Sequence, residues 1–157
     1  MRLFLLILLI SASFGCGKRK LVDPIRTLGP EWMPVQIKDA EQAWIVPGEG
    51  SSLLIDSQCK KRDQDIPLNA LTAQLLIGMT DQTLVEQKAV TFQDREALLS
   101  TFSLKIDGAK QMMRILVLKK EGCVFDVVLS TPDTAFDKRL PDFDKVVAMF
   151  SLEPSKK

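Results

Sequence analysis

The sequence predicts an α+β domain: an antiparallel sheet of about six strands with helices on both faces, an α/β/α sandwich. Three observations carry this. β-prone runs follow one another through the centre of the chain, and the helical patterns stand apart from them, without βαβ alternation. Leu98, Ser100, Phe102, Leu104 and Ile106 share one face of a strand, with Leu99, Thr101, Ser103 and Lys105 on the other. Met112 to Leu118 is apolar on both faces apart from Arg114, as in a strand covered from both sides.

The domain is preceded by a signal peptide and a tether. Met1-Arg2 is a minimal basic start, Leu3 to Ile10 is an unbroken apolar run, and small residues lead to Cys16. Crossing a hydrocarbon core of about 30 Å takes about 20 helical residues, so residues 1–15 read as a cleaved signal. Gly15-Cys16 resembles the bacterial lipobox, whose cysteine is diacylated and becomes the first residue. That resemblance makes Cys16 the lipidation site and the membrane a partner through its lipid. Ser13 and Phe14 depart from the lipobox, and Ser13-Phe14-Gly15 also fits the ordinary signal peptidase, which would release a soluble secreted protein. Gly17 lacks the aspartate that retains some lipoproteins at the inner membrane. The expected place is therefore the cell envelope, facing the periplasm, with the outer membrane favoured.

Residues 16–40 hold Pro24, Pro30 and Pro34 with scattered charge, and read as a lipid-anchored tether reaching about 25–30 Å. Trp32 and Met33 are candidates to dock on the domain. The domain itself is expected over 41–153, with a tail at 154–157.

Within it, Trp44-Ile45-Val46 and Ser52 to Ser57 flank Pro47-Gly48-Glu49-Gly50, a hairpin signal. Pro67 opens a helix with Leu68, Leu71, Leu75, Leu76 and Met79 on one side and Gly78 near its end. Gln82 to Gln93 is a strand. Asp107-Gly108 and Glu121-Gly122 are the turns of a meander whose last strand is Cys123 to Leu129. Thr131-Pro132 caps a short helix holding Phe136, and Pro141 opens another with Phe143, Val146, Val147 and Phe150 facing the sheet.

With Cys16 acylated, Cys59 and Cys123 remain, an even pair in an exported chain and a disulfide candidate. Their Cα atoms are then expected about 4.4–6.8 Å apart. The alternative is two buried free thiols.

The chain has no histidine, which excludes a histidine base, a Ser-His-Asp or Cys-His system and a histidine-ligated zinc. A formal net charge of +1 argues against nucleic acid. Arg114 and Asp126 on facing strands are candidates for a buried ion pair. Asp133, Asp137, Asp142 and Asp144 lack calcium-loop spacing and read as a solvated face. Lys60-Lys61-Arg62 is a basic loop, a candidate partner contact. No catalytic residue, metal or cofactor is expected.

The order of elements, with Arg95-Glu96-Ala97, Asp107-Gly108, Lys119-Lys120-Glu121-Gly122-Cys123-Val124-Phe125-Asp126 and a closing Asp142-Phe143 helix, is similar to the Mog1/PsbP-like α/β/α sandwich. It looks closest to small bacterial lipoproteins of that build, and the similarity spans about residues 43–152. The resemblance implies a non-enzymatic binding or assembly module acting on another envelope component, and no metal or nucleotide motif carries over with it. The competing reading is a periplasmic carrier holding a small apolar ligand between sheet and helix.

Overall fold

The computed structural model describes residues 28–38, 40–59 and 65–149. Residues 1–15, read as a signal, Cys16, most of the segment read as a tether, the basic Lys60-Lys61-Arg62, Phe150 and the tail lie outside these residues.

Seven strands form one antiparallel sheet in the order β1-β2-β3-β7-β6-β5-β4. They are β1 Met33–Val35, β2 Gln42–Val46, β3 Ser51–Gln58, β4 Thr80–Phe92, β5 Arg95–Ile106, β6 Ala109–Lys120 and β7 Cys123–Thr131. Helix α1, Leu68–Leu75, lies between β3 and β4 in the chain, and α2, Phe136–Met149, follows β7. The expected α+β architecture is present.

The β5–β6 and β6–β7 hairpins turn through Asp107-Gly108 and Glu121-Gly122, both residues of each pair at positive φ. Two-residue turns of that hand match strand twist, and glycine takes the second position without steric cost. The β4–β5 hairpin makes the same kind of turn with Gln93 and Asp94 at φ 46 and 59, without a glycine.

Register sorts the core onto two faces. Leu53, Ile55, Leu116, Leu118, Phe125, Val127 and Leu129 meet Phe143 and Val146 of α2. Phe102, Leu104, Met113, Ile115 and Val117 meet Leu71 and Leu76 of α1 on the other side. β7 is central and buried at every position but Val128, which explains its lack of alternation. Each fully buried Leu, Ile or Phe contributes about 1.5–3 kcal/mol.

Three details differ from the sequence expectation. There are seven strands rather than about six, because Met33–Val35 pairs with Ile45–Ala43. Leu28 and Trp32 are buried in the α2-side core, so the domain begins before residue 41 and takes in the distal part of the segment read as tether. Pro34 suited a tether, yet an edge strand tolerates proline because one side of its backbone needs no partner. Pro141 does not open a separate helix. It sits inside α2, which runs on from a 3-10 turn at Asp133–Ala135. A mid-helix proline costs about 3 kcal/mol. Burial of Arg139, Phe143 and Val146 on either side offsets this.

Candidate functional site

Cys59 and Cys123 are joined by a disulfide, with Cα atoms 4.0 Å apart, just under the expected window. β3 and β7 pair as far as Gln58 and Val124, so the two cysteines occupy the next rung of the ladder. Cys123 is buried and Cys59 exposed. Beside the bond, Arg95, Lys119, Lys120 and Gly122 line an open hollow of about 220 Å³. Lys119 Nζ donates to the Ile66 carbonyl at 2.8 Å, pinning the approach to α1 onto β6. A second open hollow, about 470 Å³, lies along residues 35–43. Neither encloses an apolar ligand.

The structure does not bring Arg114 and Asp126 together. Asp126 stands opposite Val117 and Arg114 opposite Leu129, an odd offset along β6 that sends the two side chains to opposite faces. Arg114 lies on the α2 face, where Nη1 donates to Glu86 Oε2 at 2.8 Å and to Thr101 Oγ1 at 2.7 Å. Asp126 lies on the α1 face, directly across from Asp56. Burial, with the Asp56 carboxylate as a lesser cause, pushes the Asp126 carboxyl up to about 7.

A raised carboxyl keeps its proton longer in the folded state than in the unfolded chain. Its stabilisation is therefore full below the ordinary value of 3.8 and is lost as pH rises through about 7. Asp126→Asn should remove this slope and make the protein more stable at pH 8 by about 2 kcal/mol, less than the full shift implies because Asp56 remains partly solvated. Urea unfolding of both proteins at pH 5 and pH 8 checks it. Equal pH dependence in the two would show that Asp126 is ionised throughout.

Arg139, 2% exposed on α2, sits at the centre of a charge network. Its guanidinium donates to Glu49 through Nε at 2.8 Å and Nη2 at 3.1 Å, and through Nη1 to Glu31 at 2.8 Å. Asp142 Oδ2 lies 3.4 Å from Nη1 and accepts from Trp32 Nε1 at 3.0 Å. The guanidinium carbon sits 5.3 Å from the centre of the Trp32 ring, within cation–π range. The cluster thus fastens the entering chain, the β2–β3 turn and α2 to one another. Arg139's hydrogen bonds hold the Glu49 carboxyl down at about 2. At Asp142 burial pulls upward, but Trp32, Lys145 and Arg139 outweigh it and the carboxyl is lowered.

Sequence patterning left Arg139 out, although a signal exists: it falls four residues before Phe143, on the apolar stripe of an amphipathic helix. The acidic run read as a solvated face is divided. Asp133 pairs with Lys110, whereas Asp142 is buried in the Arg139 cluster. Among the described residues no group of three or more acidic or thiol side chains converges as a metal site.

Neither a family model nor a curated protein sequence matches the chain. Solved structures do. Cyanobacterial PsbP (CyanoP) from Synechocystis sp. PCC 6803 superposes with a TM-score of 0.60 at 13% identity, covering 79% of this chain and 83% of that one. Protein PA94 from Pseudomonas aeruginosa gives 0.54 at 15%, covering 81% and 99%. LpqN of Mycobacterium tuberculosis, described as involved in cell envelope biogenesis, gives 0.52 at 13%, covering 76% of each chain. The fold is therefore PsbP-like.

Proposed function

We propose that this chain is a non-catalytic binding or assembly module of the cell envelope, lipid-anchored at Cys16 and facing the periplasm. The observation that carries the reading is the shared fold with LpqN, a protein of cell envelope biogenesis, and with CyanoP. The Cys59–Cys123 bond adds support, because such bonds persist in oxidising compartments. Arg139 and Asp142, the buried charges of the α2 side, hold elements of the fold together. The domain acts through its surface, on another envelope protein. The carrier reading has less support, since the hollows present are open.

No helix among the described residues is long and apolar enough to cross a membrane. In the proposed reading the anchor is the lipid on Cys16. Two acyl chains exceed the marginal binding of one. Wild-type protein is expected to label with palmitate and partition into detergent, and Cys16→Ser to lose the label. In-cell cross-linking followed by mass spectrometry should then join the wild type to an envelope protein. An unlabelled wild type found wholly soluble would overturn the anchor, and cross-links confined to cytoplasmic proteins would overturn the envelope module.

A further inference from the structure

The two edges of the sheet are unequal. β1 is three residues long with Pro34 at its centre. β4 runs for 13 residues, exposed from Thr80 to Ala89, with its outer backbone groups facing away from β5. Long edges are normally covered or blunted, because they template further pairing. Leu84 and Val85 are 52% and 57% exposed, and register shifts between Thr80 and Thr83 and between Leu84 and Glu86 blunt the first part of this edge while Glu86 to Phe92 stays regular.

We infer that β4 is an interaction surface for a second copy of this chain, pairing antiparallel about a two-fold axis at Gln87. The sequence of the strand selects the register. Centred on Gln87, Glu86 faces Lys88 of the second copy and Lys88 faces its Glu86, both on the α2 face of the sheet. Moving the axis by one residue sets Lys88 against Lys88, or Glu86 against Glu86. Opposite charges across strands stabilise and like charges destabilise. Glu86 and Lys88 already pair at 3.3 Å within one chain and are about half exposed, which leaves both within reach of a second partner across the axis. Gln87 bonds Ser100 of its own chain through Nε2, leaving the strand's outer side clear at the axis. The bulge at Val85 puts Leu84 and Val90 on opposite faces of the sheet, so the pairing is confined to the stretch around Gln87. The result is a weak dimer, with a Kd on the order of 10 µM.

Sedimentation of the purified full chain in mild detergent tests this. Wild type should show a monomer–dimer equilibrium. Lys88→Glu and Glu86→Lys should each raise Kd about tenfold or more, because each sets like charges opposite one another twice. An equimolar mixture of the two variants should recover dimer, since every cross-strand pair is then Glu–Lys. Glu86 also holds Arg114, so Glu86→Gln, which keeps an acceptor for that guanidinium, serves as a second variant and should weaken the dimer with an unchanged circular dichroism spectrum. A wild type that is monomeric at ~100 µM would overturn the proposal. So would a dimer indifferent to Lys88→Glu and Glu86→Gln.

Discussion

Replacing Cys59 and Cys123 together by serine should lower the unfolding free energy by about 4 kcal/mol, from the closure entropy of a loop of about 65 residues. The cysteines are 64 apart in sequence and adjacent in the β3–β7 ladder, so the bond links distant parts of the chain. The loss should appear as a lower midpoint in urea, and a reducing agent should reproduce it in wild type while leaving the double variant unchanged. Cys16 is untouched in that variant, which separates domain stability from the proposed membrane anchoring. Equal midpoints for oxidised wild type and the variant would mean that the bond does not form in solution.

Arg139→Met should cost about 3 kcal/mol, because it removes the cation and leaves Asp142 buried and Glu49 half-buried without it. Met keeps much of the volume, so little of the loss comes from a cavity. The pairing also leaves a mark on acid unfolding. Glu49 is held below its ordinary value of 4.5, at about 2, so its contribution is complete above pH 4.5 and is lost as pH falls towards 2. The Arg139→Met protein should show a flatter acid limb over that window. Adding Glu49→Gln to Arg139→Met should restore part of the loss, since one unpaired acceptor is neutralised. Additive losses in the double variant would show that Arg139 and Glu49 do not interact.

The strands were the legible part of this sequence. Period-two alternation in β5, the Asp-Gly and Glu-Gly turns and the even cysteine pair each follow from local chemistry, and all appear where expected. The β4–β5 turn was not legible, because Gln93 and Asp94 reach positive φ without glycine. β1 was hidden by Pro34, since edge position, which makes that proline tolerable, is a property of the assembled sheet. The Arg139 cluster was hidden for a related reason. Glu31, Trp32 and Glu49 lie about 90 to 110 residues from Arg139 and Asp142, and only tertiary packing converts a charge on an apolar stripe into the centre of a network. The Arg114–Asp126 pairing failed on register, because a one-residue offset sends a side chain through to the opposite face.

The cystine divides the molecule in a way that its stabilising effect does not convey. Between Cys59 and Cys123 the chain contains α1, β4, β5 and β6, one contiguous half of the sheet with the helix that covers it. Outside it lie β1, β2, β3, β7 and α2, the other half with its own helix. The domain is thus a covalent ring inserted into a linear chain, with the ring closed at the end of the β3–β7 ladder. A protease that cuts once anywhere between the cysteines opens the ring without releasing a piece. A cut outside the ring severs the chain in two. Nicked protein should run as one band on a non-reducing gel in the first case and as two in the second.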